Sequence, residues 1–214
     1  MKRTQSLHAK KNESYVKISY IDRESDEGFV RADVGDAEIH IPFAYKPSSV
    51  TTKHVTFHVR WVPGGKVSKT ITPLDIQSSD GDFAIGVVVN FSQYDISHDE
   101  WLEQQHTRTN RIFKPHLESR NSQEFKNITE FVAKSNGNTA YHVLKLDDQP
   151  YAPNNIASCG SGAGECLVRI SFSKYYSVRF SFQKEVLHNY AEFIHDMSSF
   201  TENLLLNAKN REKK

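Results

Sequence analysis

The residues best placed to do chemistry are two cysteines, set close together in Ser158-Cys159-Gly160-Ser161-Gly162-Ala163-Gly164-Glu165-Cys166. The glycines of the intervening loop permit φ > 0 turns, so the chain can fold back and bring the two Cα atoms within the roughly 4.4–6.8 Å that a disulfide requires. Closing so short a loop stabilises by about 2–3 kcal/mol in the chain-entropy model. The spacing points to a Cys159–Cys166 disulfide, of the kind that persists in oxidising compartments, with two reduced thiols in a flexible turn as the alternative. Zinc is disfavoured, because no second ligand pair of matching close spacing accompanies the cysteines.

Ten histidines raise the question of a metal, and His54 with His58 is the pair to test. Both project from one face of a predicted strand, but four residues of strand separate them by roughly 13 Å, too far to share one zinc. His188 and His195 stand seven apart on a predicted helix, about 10 Å along its axis, and meet the same objection. Gly160, Gly162 and Gly164 are followed by a predicted strand instead of the helix that a phosphate-cradling loop needs, and neither G-x-G-x-x-G nor a Lys-Ser/Thr ending is present. There is no G-x-S-x-G elbow, and Cys159 has no local neighbour that would generate a thiolate. Asp99-Glu100 and Asp147-Asp148 read as solvated pairs or caps. Asn90-Phe91-Ser92 and Asn127-Ile128-Thr129 match the glycosylation sequon, but both fall in predicted strands. No catalytic residue, metal ligand or cofactor is expected. The candidates for partner contact are aromatic residues in or beside predicted loops: Phe43, Tyr45, Trp101, Tyr151, Tyr175 and Tyr176.

The elements that position these residues read mainly as strands. Tyr15–Ile21 and Phe29–Val34 form an opening hairpin, and Gly35-Asp36 turns into a short strand, Ala37–Ile41, that Pro42 ends by removing a ladder donor. Val55, Phe57, Val59 and Trp61 alternate with His54, Thr56, His58 and Arg60, the signature of a half-buried strand. Pro63-Gly64-Gly65 turns the chain toward a return strand over Lys66–Ile71. Phe83, Ile85, Val87, Val89 and Phe91 alternate with small or apolar residues, which suits a central strand. Ser97-His98-Asp99-Glu100 is a capping box that predicts a short internal helix. Thr107–Ser122 is polar and weakly patterned and reads as a surface loop.

Further hairpins are predicted from Phe125–Ala133 with Ala140–Leu146, and from Cys166–Phe172 with Ser177–Phe182, the first turning at Asn136-Gly137-Asn138. A loop through Pro150 and Pro153 leads to the cysteine segment. Leu187, Tyr190, Ile194, Met197, Thr201 and Leu204, widened by Val186 and Phe193, recur at helical steps and predict a long amphipathic helix lying on the sheet.

The fold class expected is therefore α+β: mainly antiparallel sheet with a short internal helix and a long C-terminal one. Residues 1–214 make one domain, with residues 1–13 and 207–214 as disordered tails. Lys and Arg total 27 against 26 for Asp and Glu, so no net field favours nucleic acid or anionic lipid. The longest apolar stretch, Phe83 to Val89, is far short of the roughly 20 residues that span a bilayer as helix. The basic start, Met1 to Lys11, lacks the apolar stretch of a secretory signal, leaving either a cytoplasmic protein or an exported one whose leader was removed.

Two segments resemble a known family. Gly35-Asp36-Ala37-Glu38-Ile39-His40-Ile41-Pro42-Phe43-Ala44-Tyr45 is similar to the strand ending in Ile-Pro-x-x-Tyr that begins many small periplasmic immunity proteins. These proteins neutralise antibacterial effectors of the type VI secretion system. The second segment, Cys159 to Leu205, has that family's close cysteine pair and two apolar strands, then Phe182-Gln183-Lys184-Glu185-Val186-Leu187 entering a terminal helix. Together they cover about a third of the chain, and the stretch from Phe91 to Pro153 departs from the pattern. The resemblance implies a periplasmic, non-enzymatic protein that binds one cognate effector toxin, often by occluding its active site. It transfers no functional residue, since the binding surfaces of such proteins diverge. The alternative is a periplasmic binding module for a small ligand or cell-envelope component, with the aromatic loops as contacts. A third reading is a hydrolase whose site is assembled only in the fold.

Overall fold

The computed structural model describes residues 16–25, 27–35, 37–65, 67–69, 81–92, 100, 117–133, 142–146, 156–159 and 164–211. Three strands, β1 (Lys17–Ile21), β2 (Phe29–Val34) and β3 (Ala37–Pro42), form a small antiparallel sheet in sequence order. Ten more build the main sheet. They are β4 (Ser49–Val50), β5 (His54–Trp61), β6 (Ser68–Lys69), β7 (Phe83–Phe91), β8 (Leu117–Asn121), β9 (Ile128–Ala133), β10 (His142–Leu146), β11 (Ile156–Cys159), β12 (Glu165–Ser171) and β13 (Tyr176–Gln183). Their order is β4-β5-β7-β13-β12-β11-β10-β9-β8, with β6 beside β5, and every pairing is antiparallel. A 3-10 segment, Lys184–Asn189, leads into a long helix, α1 (Tyr190–Arg211). This is the mainly antiparallel α+β architecture expected from the strand patterning.

Period-two alternation explains how the main sheet meets the helix. On β5, Val55, Phe57, Val59 and Trp61 are fully buried while His54, Thr56, His58 and Arg60 are not. Ile85, Val87 and Val89 of β7 and Val178, Phe180 and Phe182 of β13 continue the same apolar layer. Against it α1 sets Tyr190, Phe193, Met197, Phe200 and Leu204, with Val186 and Leu187 from the turn before it. Phe193 is the hub, packing edge-on to Trp61 at 5.2 Å and tilted on Phe182 at 4.7 Å. The apolar faces of β2 and β3 belong to the same core, and β3 runs alongside α1.

Several boundaries differ from the sequence reading. The surface loop expected over Thr107–Ser122 ends instead in strand β8, whose register is held by Arg120 opposite Glu130. Arg120 Nε donates to Glu130 Oε2 at 2.9 Å and Ser122 Oγ donates to Glu130 Oε1 at 2.8 Å, so polar pairing replaces the apolar alternation that would have marked the strand. Ile156–Cys159, read as the end of a loop, is a strand bonded on both sides, by β10 and β12. It is too short to show a period against the prolines before it. Helix α1 continues through Asn207 to Arg211, where a disordered tail was expected.

Of the return strand expected over Lys66–Ile71, Ser68–Lys69 pairs with β5 and residues 70 and 71 lie outside the described residues. The helix expected after Ser97 and the tail expected over residues 1–13 lie outside them too, apart from Glu100, which is helical. Asn90 is in β7 as expected, but Asn127 sits in an exposed turn at φ 58° before β9. No described helix is long and apolar enough to cross a membrane.

Candidate functional site

The cysteines occupy directly opposed positions of the β11–β12 hairpin. Their Cα atoms are 4.1 Å apart and their sulfurs are at bonding distance. That separation is closer to the spacing of a non-hydrogen-bonded antiparallel pair, about 4.5 Å, than to the wider hydrogen-bonded one. Both residues are buried on the helix side, and Gly164 enters β12 at φ 63°, a conformation that favours glycine. The clip is thus a rivet in the core layer of the sheet, away from solvent.

The described aromatic contact candidates, Phe43, Tyr45, Tyr175 and Tyr176, do not converge on one site. Tyr45 packs on Phe57 at 5.5 Å and meets Phe200 edge-on at 5.6 Å, and burial pushes its hydroxyl above the ordinary tyrosine range. Tyr176 takes a place in the core, stacked on Phe172 at 5.7 Å, where burial and then the Glu202 carboxylate hold it protonated. Tyr175 lies against the β2–β3 turn, where a Cβ on Gly35 would meet its ring at 2.3 Å. Phe43 stacks on Tyr20 at 6.2 Å at the other end of β3. Trp101 and Tyr151 lie outside the described residues.

What the fold does assemble is a polar face on the main sheet, opposite the helix. Residues directly across an antiparallel pair share a face, so the register defines three rows. His58, Gly86, Ser181, Leu167 and Ser158 form the first. Thr56, Val88, Arg179 and Arg169 form the second, and His54, Asn90, Ser177 and Ser171 the third. Leu167 is 41% exposed, and Arg179 and Ser158 are also exposed. Arg60 lies on the same face, paired with the Asp82 carboxylate. Gly86 lets Ser181 approach its backbone closely: a Cβ there would stand 2.3 Å from Ser181 Oγ and 3.8 Å from His58 Nε2. Sequence reading identified the polar side of β5, but not that β7, β12 and β13 would extend it.

A second polar group decorates the small sheet. Arg31 bonds Asp33 at 2.9 Å and Glu38 at 2.7 Å, and Glu38 in turn holds His40 Nε2. The His40 ring is buried and stacked 4.1 Å from Phe29, with Nδ1 lacking a partner. Among the described residues no group of three or more His, Cys, Asp or Glu could hold a metal ion.

Fold and face together define an α+β domain with one helix-covered and one polar sheet surface. No protein-family model matches the chain, and neither a curated protein nor a solved structure shows significant similarity to it.

Proposed function

We propose that this chain is an immunity protein that binds and neutralises a cognate antibacterial effector toxin of the type VI secretion system in the periplasm. The observation that carries the reading is the C-terminal unit: the Cys159–Cys166 pair closes a hairpin whose second strand passes through β13 into α1. That is the arrangement on which the family resemblance rests, and a disulfide is compatible with an oxidising compartment. A rigid sheet scaffold suits tight binding, because little conformational freedom remains to be lost on association.

The test is co-expression with the product of the neighbouring gene, followed by co-purification and a growth assay. The expected result is a stable complex and rescue from toxicity when this chain is directed to the periplasm. A neighbouring product that is harmless, or that binds no more tightly than unrelated proteins, would refute the reading.

A further inference from the structure

Asn-x-Ser/Thr sequons begin at Asn12, Asn90 and Asn127, and Asn12 lies outside the described residues. The fold places the other two in opposite settings. Asn90 is half-buried within β7, opposite His54 on one side and Ser177 on the other, and its Nδ2 donates to Val88 O at 3.1 Å. A sugar on that amide would cost the bond and crowd the neighbouring strands. Asn127 is exposed in the turn between β8 and β9 at φ 58°, a conformation that asparagine tolerates better than most residues. The turn is held by other groups: Ser122 N–H donates to Ile128 O at 2.8 Å, Phe125 meets the His188 ring edge-on at 4.9 Å, and Lys184 pairs with Glu124 at 2.6 Å. The Asn127 amide takes no part in these contacts, so it can be modified without loosening them. Thr129, which completes the sequon, is half-buried in β9 between buried Ile128 and Glu130.

We propose that Asn127, in preference to Asn90, is an acceptor for an asparagine-linked glycan, with Thr129 as the hydroxyl residue that the transferase reads. In the transfer, Asn127 Nδ2 bonds to the anomeric carbon of an oligosaccharide carried on a lipid diphosphate. The bond from that carbon to the diphosphate oxygen breaks, the amide gives up one proton, and the lipid diphosphate leaves. This chemistry acts on exported chains, the route on which a disulfide such as Cys159–Cys166 also forms. The glycan would project from the turn beside β8, at the end of the main sheet's strand order, away from the helix-covered core. The proposal is independent of the immunity reading.

The full chain is secreted behind a cleavable signal sequence from a eukaryotic host whose oligosaccharyltransferase accepts Asn-x-Ser/Thr. The folded product is mapped by peptide mass spectrometry before and after enzymatic glycan release. Occupancy at Asn127 is expected to exceed that at Asn90 by about tenfold or more. Thr129→Ala and Asn127→Gly are expected to abolish it, and the glycine keeps the left-handed backbone, so its loss of glycan does not come from misfolding. Asn90→Gln is expected to leave it unchanged, and the glycosylated and released forms are expected to melt together. Where little protein is secreted, the same mapping is made on the folded fraction of the cell extract. Asn127 unmodified in folded protein, Asn90 occupied to an equal degree, or a glycan retained at Asn127 in Thr129→Ala overturns the proposal. A glycosylated form that melts well below the released one overturns it too, because the fold then does not accept the sugar.

Discussion

Trp61 Nε1, at the end of β5, donates to Asp196 Oδ2 at 2.9 Å across 135 residues of sequence. The indole is fully buried against Phe193 and Phe83, and this bond meets its one polar requirement. The same end of the helix receives the Gly64 backbone N–H on Glu192, so two contacts clamp the β5–β6 turn onto the start of α1.

Trp61→Phe keeps most of the ring packing but leaves Asp196 without its donor. It is expected to destabilise the fold by about 1–3 kcal/mol. Denaturant unfolding should show a lower midpoint with an unchanged slope. A midpoint equal to wild type would show that water replaces the indole at no cost.

The Cys159–Cys166 pair is expected to resist alkylation until reductant is added, because both sulfurs are buried and at bonding distance. A double Cys159→Ala, Cys166→Ala variant should lose about 2–3 kcal/mol, the entropy of a short closed loop. Alkylation of the folded, unreduced protein would remove the clip.

Tyr190 is buried with no hydrogen-bond partner for its hydroxyl, and burial raises its pKa well above the ordinary value of 10.0. Tyr190→Phe is therefore expected to leave stability unchanged or raise it by up to about 1 kcal/mol. The raised pKa also sets a pH dependence. Below about pH 10 the hydroxyl is protonated in folded and unfolded chains alike, and its contribution is fully present. Above that, the unfolded chain loses the proton first, so stability falls as pH rises. Tyr176 acts in the same direction. Removing Tyr190 should flatten the alkaline limb of a melting-temperature profile, and an unaltered limb would assign that loss to other groups.

Gly35 and Gly64 separate two causes of strain. Both have positive φ, at 57° and 70°, but only Gly35 faces another side chain, the Tyr175 ring. Both alanine variants incur the left-handed backbone cost, about 1 kcal/mol, and Gly35→Ala should lose measurably more because Tyr175 must move. Equal losses in thermal melts would show that the ring yields freely.

Much of the fold was legible because burial on one face writes itself as a period of two. The alternations at Val55 to Trp61 and at Phe83 to Phe91 announced β5 and β7, and the helical steps from Val186 to Leu204 announced α1. Where polar pairing marks a strand, as at Arg120 opposite Glu130, the same method read a loop over β8. The surroundings of the candidate contact aromatics were hidden from local pattern for a related reason. How far a tyrosine beside a loop is exposed depends on which other elements reach it: Tyr176 is buried and stacked on Phe172, while Tyr45 is half-buried and packs on Phe57 and Phe200.

The cysteine spacing was the feature that sequence alone determined most fully, since a short glycine loop leaves few ways for two residues to avoid each other. Strand order belonged to the tertiary structure. Insertion of β13 beside β7 sets Arg179 in one row with Val88 and Thr56, residues more than ninety positions away, and no local pattern encodes that pairing. Long-range register is chosen by which apolar faces bury together, and the polar face opposite the helix is the consequence of that choice.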